Sequence, residues 1–290
     1  MLFFTVQKIA RLLPEIRAAI YREIHPITHF KFAEGEQQGA HRPDFDDEAW
    51  EDFTVGDFWG GYDVVAWFRT TVQVPEQLRD KKLALRFLGG PRDDGGSTAE
   101  MLLYVNGEPL QGIDVWHEEA WLPLETVEQG EISIALHAWS GVLDVPDRRR
   151  FKLAALLWID EATEEFYYLA HTLLEAVKVL DEDDLRRVHL LERLNAAFGR
   201  IKFTRPHSDE FYASMAEGGN YLRDALAAME RLEELKPQIT AVGHAHIDMA
   251  WLWRLSHTRE KAARTFSTVL HLMRQYPEYR FVHSTPQLYT

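Results

Sequence analysis

The residues best suited to chemistry in this chain lie in the segment Gly243 to Trp253. In an extended segment residues i, i+2 and i+4 share a face, so His244, His246 and Asp248 are expected to project together. Two imidazoles and a carboxylate are costly to bury without partners. A divalent metal such as zinc, which takes nitrogen and oxygen ligands at about 2.0–2.2 Å, would offset that cost. The spacing therefore predicts a metal or catalytic site.

The sequence around this segment predicts a strand, a turn, a helix and a second strand. The apolar run Ile239–Val242 follows the break Lys236–Pro237 and predicts a buried strand from Ile239 to His246. Helical spacing from about Thr258 to Gln275 and a second apolar run at Tyr279–His283 complete one βαβ unit, which implies a parallel sheet. The carboxyl end of such a strand is where α/β folds place active sites. Since two strands cannot close a barrel, the unit is expected to be the first part of a truncated (β/α) barrel, and the chain an N-terminal fragment.

From about His29 to Trp158 apolar residues recur at every second position, which is the spacing of a strand and not of a helix. Short apolar runs alternate with polar residues between turn signals, and Asn106–Gly107 is a strong hairpin signal. This pattern predicts an antiparallel β-sandwich, jelly-roll-like in organisation.

Helical spacing recurs on both sides of the predicted sandwich. One stripe covers about Thr5 to Glu23 and contains Pro14, which predicts one kinked helix or two short ones. From about residue 160 to 234 the spacing predicts three helices, with a turn at Asp181–Asp184. The fold class is therefore multidomain α+β. The expected order is an N-terminal helical segment (1–25), a β-sandwich (26–160), a helical bridge or linker region (161–237) and the incomplete barrel (238–290).

Composition narrows the classes of partner. The chain has 290 residues, with 46 acidic against 32 basic side chains and a formal net charge of −14. Such a surface repels phosphate backbones, so no nucleic acid is expected as a partner. There is no cysteine, so a metal site must use His, Asp or Glu. No secretory leader or membrane span is recognisable, so we expect a cytoplasmic protein with no membrane partner, and leave a homo-oligomer open.

The pattern alone leaves three functions open. A metal-dependent amidohydrolase would use His244 and His246 together as ligands. A sugar hydrolase would use His246 and Asp248, with an aromatic ring beyond them to stack on a sugar, and the two nearby tryptophans favour this class. A non-catalytic carbohydrate-binding β-sandwich would instead carry exposed, coplanar tryptophans on one face. Its candidates are Trp50, Trp59, Trp67, Trp116, Trp121 and Trp139.

Three motifs together resemble a known family. They are Gly243–Trp253, Lys261–Ser267 and Tyr276–Tyr279, and they closely resemble the opening of the catalytic domain of glycoside hydrolase family 38 α-mannosidases. The likeness is greatest to the cytosolic and vacuolar branch and covers roughly residues 238–290. Met249 stands where that family usually has Thr, and Arg254 stands where it usually has Pro.

The resemblance implies a function and roles for individual residues. It implies a retaining α-mannosidase that hydrolyses terminal α-linked mannose from a mannose-containing oligosaccharide. His246 and Asp248 would be two of the ligands of a zinc ion, or of another divalent cation such as Co²⁺, and Trp251 would stack on the sugar. His244 is expected to orient a ligand rather than to bind the metal. The nucleophile and the acid/base are expected beyond Thr290, so the 290-residue chain alone is expected to be inactive.

Overall fold

A computed structural model describes residues 4–90, 99–143, 148–230 and 239–289 of the chain. Its residues divide into two compact units, one formed by Met1–Ile24 with Trp158–Gln238 and the other by His25–Leu157 with Ile239–Thr290. Across the described residues, no helix is long and apolar enough to cross a membrane.

The helices and strands follow one another in this order: α1 (Thr5–Ala19), β1 (Tyr21–Pro26), β2 (His29–Glu34), β3 (Glu51–Thr54), β4 (Phe58–Trp59), β5 (Val65–Gln73), β6 (Leu83–Leu88), β7 (Glu100–Val105), β8 (Glu108–Ile113), β9 (Glu119–Trp121), α2 (Leu124–Glu128), β10 (Glu131–Trp139), β11 (Arg149–Arg150), β12 (Leu153–Ile159), α3 (Glu161–Val179), α4 (Leu185–Phe198), α5 (Asp209–Glu230), β13 (Gly243–His244), α6 (Leu255–Gln275) and β14 (Phe281–Val282). The chain is thus mixed α and β, as predicted.

The first unit is helical, with α1, α3, α4 and α5 packing on one another. α1 is a single helix although it contains Pro14, and it buries Ile9 and Ile16 on one stripe. α3 begins where the Asp160 carboxylate accepts a hydrogen bond from the Thr163 amide at 2.9 Å, and Asp184 caps α4 in the same manner. The three helices predicted after residue 160 are present. The predicted end of the third, near residue 235, lies outside the described residues.

The second unit contains the predicted antiparallel β-domain. One sheet has the strand order β1-β12-β6-β9 and the other β3-β2-β5-β10-β7-β8, with β11 paired to β4 separately. β10 is central in the larger sheet and pairs antiparallel with both β5 and β7. Phe68 lies in the aromatic core, with ring centroids of Phe53 and Phe151 5.0 and 5.1 Å away. Asn106 and Gly107 form the β7–β8 turn with φ values of 51° and 88°, so both occupy the left-handed region that this hairpin turn requires.

The strand–helix–strand segment near the end of this unit differs in length from its prediction. β13 and β14 pair in parallel, with Gly243 opposite Phe281 and His244 opposite Val282. The predicted strands Ile239–His246 and Tyr279–His283 are therefore too long. Ile239 is 85% exposed, so the apolar run before β13 is not buried. Among the described residues each of these strands has one neighbour, and a two-stranded ladder is only marginally stable beyond its best-paired residues. The larger barrel stays a prediction.

Candidate functional site

The predicted ligand pair lies just after β13. His246 Nε2 and Asp248 Oδ1 are 3.2 Å apart, and both side chains are accessible, at 75% and 42% exposure. Two ligands at about 2.0–2.2 Å from one tetrahedral ion lie about 3.3–3.6 Å apart, close to this separation. An ion could thus replace the shared proton with a small movement of either side chain. The donor set, one imidazole nitrogen and one carboxylate oxygen, is also one that zinc accepts.

His244 does not join this pair. Its Nδ1 lies 2.9 Å from the carbonyl oxygen of Val282 and donates a hydrogen bond to β14. The regular alternation that would align three side chains ends with β13 at His244, so the structure pairs His246 with Asp248 and gives His244 a backbone partner on β14. Within the described ranges no three His, Asp or Glu side chains are placed to hold one metal ion. The amidohydrolase alternative, which needs His244 and His246 as joint ligands, gains no support.

The two tryptophans that follow are held differently. Trp253 is half-buried, and its indole Nε1 donates to the Thr258 hydroxyl at 3.1 Å. The same hydroxyl donates to the carbonyl oxygen of Met249 at 2.6 Å, so one side chain at the start of α6 ties down both ends of the loop. Trp251 is 61% exposed, and its ring meets that of Trp253 edge to face with centroids 5.6 Å apart. Trp251, three residues after Asp248, is therefore largely accessible.

An interaction with the β-domain fixes the first turn of α6. The Asp63 carboxylate accepts hydrogen bonds from Trp139 Nε1 at 3.1 Å and His257 Nε2 at 3.0 Å, and it pairs with Arg254. The His257 ring is buried and stacks on Trp139 at 4.6 Å. Burial lowers the pKa of the His257 imidazole, Asp63 opposes that shift and Arg254 adds to it. Arg254, one of the two residues that depart from the family pattern, thus has a specific partner.

A second charged cluster lies one turn further along α6. Glu100 of β7 contacts Lys261 Nζ and Arg264 Nη2, each at 2.6 Å. Burial would raise the pKa of the Glu100 carboxyl, but the charges and hydrogen bonds of Arg264 and Lys261 have a larger effect. The pKa of Glu100 therefore lies below its ordinary value. Sequence reasoning missed Asp63 and Glu100, since no spacing rule joins residues more than 150 positions apart.

A cavity of about 400 Å³ is lined both by His246 of the ligand pair and by the cluster of Glu100, Lys261 and Arg264. The β-domain contributes Glu100, Asp114 and His117 to its wall, and the C-terminal segment contributes His244, His246 and Trp253. Its size is within the range of about 300–1,000 Å³ that is usual for small-ligand sites.

Comparisons with known proteins match two parts of the chain, one of them the segment that carries His246 and Asp248. Residues 236–290 match the model of the "Glycosyl hydrolases family 38 N-terminal domain", and residues 26–139 match that of the "Alpha-mannosidase, jelly roll domain". The resemblance to family 38 α-mannosidases is confirmed. The β-domain of this α-mannosidase-related chain is thus a jelly roll.

Several curated proteins are similar over much of the chain. Alpha-mannosidase G of Dictyostelium discoideum is 26% identical over 259 residues, which cover 83% of this chain and 22% of that protein. Human Alpha-mannosidase 2C1 is 28% identical over 249 residues, which cover 80% of this chain and 22% of that protein. Alpha-mannosidase of Saccharomyces cerevisiae is 28% identical over 152 residues, which cover 50% of this chain and 14% of that protein. The chain therefore spans about a fifth of the length of the first of these relatives.

Among solved structures, a Bacteroides uniformis beta-glucuronidase overlaps 47% of this chain and 17% of that chain at 18% identity. The TM-score of 0.38 is too low for this likeness to carry an argument.

Proposed function

We propose that the protein to which this chain belongs is a metal-dependent, retaining α-mannosidase that removes terminal α-linked mannose from oligosaccharides. The observation that carries the proposal is the His246–Asp248 pair, 3.2 Å apart and followed three residues later by the exposed Trp251, within the segment matched by the family 38 domain. The similar curated proteins are named α-mannosidases. Because the chain spans about a fifth of their length or less, the proposed activity belongs to the whole protein.

His246 and Asp248 would hold a zinc ion, or another divalent cation such as Co²⁺. When bound, the ion would hold the two adjacent ring hydroxyls on C2 and C3 of the terminal mannose. A four-coordinate site needs more ligands than these two, and the resemblance places them elsewhere in the protein. The role of His246 requires a neutral imidazole, and that of Asp248 an ionised carboxylate.

Trp251 would bind the sugar itself. The C–H face of a pyranose is apolar and packs on an indole face, while the hydroxyls at its edge remain available for polar contacts. The contacts of Thr258 with Trp253 and Met249 hold the loop that carries Trp251, so its position is set before a sugar arrives.

The bond-breaking groups lie outside this chain in our proposal. Retention of configuration requires a carboxylate nucleophile and a carboxylic acid about 5–5.5 Å apart. The resemblance places both beyond Thr290. The part described here would therefore bind and orient the terminal mannose.

The test replaces His246 or Asp248 by Ala in the whole protein. We expect bound metal, measured by mass spectrometry of the purified enzyme, and turnover of an aryl α-mannoside to be lost together. His189→Ala is the matched control, because His189 is exposed on α4 in the other unit. Unchanged turnover in the His246 and Asp248 variants would refute the assignment.

The carbohydrate-binding alternative receives less support from the β-domain. Three of its six tryptophans are buried: Trp59, Trp67 and Trp139. Trp50 and Trp121 are half-buried, and Trp116 alone of the six is exposed, at 80%. The described jelly roll therefore lacks the row of exposed, coplanar rings that this alternative predicts. A cytoplasmic location and a homo-oligomeric state are kept as proposals from the sequence.

A further inference from the structure

The turn between β8 and β9 is fixed by a single carboxylate. Asp114 Oδ1 accepts hydrogen bonds from the Trp116 amide at 2.7 Å, the His117 amide at 2.9 Å and the His117 Nδ1 at 3.0 Å. Burial would raise the pKa of Asp114, but the bonds from His117 and from the Trp116 amide outweigh it and the net pKa is lowered. Asp114 in turn raises the pKa of His117. Three bonds to one oxygen define a single conformation for this short turn.

This ordered turn belongs to the wall of the cavity that contains His246. Asp114 and His117 both line the cavity from the β-domain side, and His246 lines it from the C-terminal segment. Since Nδ1 of His117 is engaged by Asp114, Nε2 is the nitrogen that can bond a ligand hydroxyl. The cavity is larger than one side chain could fill, and its walls come from both parts of the unit.

The turn also keeps a large aromatic ring in solvent. Trp116, placed between Asp114 and His117, is 80% exposed, whereas the other five tryptophans of the jelly roll are buried or half-buried. An exposed indole between two residues that line the cavity, Asp114 and His117, is a suitable surface for the C–H face of a sugar.

The charges around the cavity favour a neutral ligand. The two cations that line it, Lys261 and Arg264, are both paired with Glu100 at 2.6 Å. An anionic ligand would have to compete with that carboxylate for both cations. A hexose needs hydroxyl partners and an apolar face, which His117 and Trp116 provide.

We propose that the Asp114–His117 turn of the jelly roll binds the sugar unit that adjoins the terminal mannose, with Trp116 stacking on its ring and His117 bonding a hydroxyl. This inference rests on the proposed function, since it takes His246 to mark the place of the terminal sugar. The turn would then select oligosaccharides over simple mannosides.

The test compares two substrates on the whole enzyme. α-Mannosyl fluoride has a one-atom leaving group and cannot reach the turn, whereas an α-linked mannobiose places a second sugar there. We expect Trp116→Ala to lower kcat/KM for the mannobiose about fivefold to tenfold while kcat/KM for the fluoride stays within about twofold. Trp116→Phe should retain most of the mannobiose activity. Phe58→Ala is the matched control, because Phe58 is an exposed ring outside the cavity wall.

The other outcomes separate the two proposals. Unchanged kcat/KM on both substrates overturns the role of the turn and leaves the mannosidase proposal intact. An equal fall on both substrates, at unchanged melting temperature, also overturns it, because the turn would then act on the terminal sugar. If the wild-type enzyme hydrolyses neither substrate, the mannosidase proposal itself fails. If His246→Ala retains activity on the fluoride, the metal-ligand role of His246 fails, whatever Trp116 does.

Discussion

Replacing Glu100 should destabilise the second unit more than any surface substitution. Glu100 is 27% exposed, and its partners Lys261 and Arg264 are 20% and 8% exposed. Glu100→Gln keeps the shape of the side chain but removes the carboxylate that both cations share, and leaves Arg264 with the more distant Glu260, at 3.8 Å. We expect α6 to lose its strongest polar attachment to β7.

The expected loss of stability in Glu100→Gln follows from the burial of Glu100, Lys261 and Arg264. Removing one partner of a buried ion pair costs about 3–5 kcal/mol, because the remaining charge is left desolvated. Exposed pairs contribute only about 0–1 kcal/mol. Since Arg264 is nearly buried and Lys261 only partly so, we expect a loss of about 2–3 kcal/mol in the free energy of unfolding.

Urea unfolding of the chain, followed by tryptophan fluorescence, measures this loss. Glu131→Gln is the control, because Glu131 is exposed and its carboxylate accepts a hydrogen bond from Gln73 Nε2 at 2.6 Å, so a change within about 0.5 kcal/mol is expected. A loss below about 0.5 kcal/mol for Glu100→Gln would refute the reasoning.

The pH dependence gives a second check on the Glu100 cluster. Because the pKa of Glu100 is lowered in the folded state, its contribution is fully present above the ordinary value of 4.5 and is lost as pH falls through the folded pKa. The difference between the wild type and Glu100→Gln should therefore shrink on acidification.

Two further substitutions test the packing of α6. Burial, followed by the charge of Arg274, lowers the pKa of His271 from 6.5 to about 4, so the unfolded state binds the extra proton first as pH falls. Stability should drop by about 1.4 kcal/mol per pH unit at most between those values, and His271→Leu should remove this slope in urea midpoints. If the urea midpoints of the wild type and of His271→Leu depend on pH in the same way, this role of His271 is contradicted. A Cβ at Gly112 would lie 3.1 Å from Cβ and 3.2 Å from the carbonyl oxygen of Arg264, so Gly112→Ala should cost about 1–3 kcal/mol. An unchanged melting temperature would show that α6 is not tightly packed there.

Local patterns in the sequence predicted most of the elements. The alternation in β5 and β10 and the turn at Asn106–Gly107 specify strands and a hairpin because each depends on adjacent residues. The helices α3 and α4 were predicted for the same reason, and in the structure they begin at the caps Asp160 and Asp184. Strand order was not predicted, because it depends on contacts between distant segments.

The candidate site was predicted only in part. His246 and Asp248 are two residues apart, and the structure brings their side chains together. His244 instead bonds the backbone of β14, because alternation holds only while the strand continues and β13 ends at that residue. The turn that presents Trp116 could not have been predicted to line the same cavity as His246, since the two residues are 130 positions apart and no pattern connects them.

The most direct measurement is anomalous diffraction at the zinc edge from crystals of the whole protein. We predict one ion within about 2.0–2.2 Å of His246 Nε2 and of a carboxylate oxygen of Asp248, with Trp251 at the adjoining sugar site. An ion bound elsewhere, with His246 and Asp248 left in bulk water, would contradict the account.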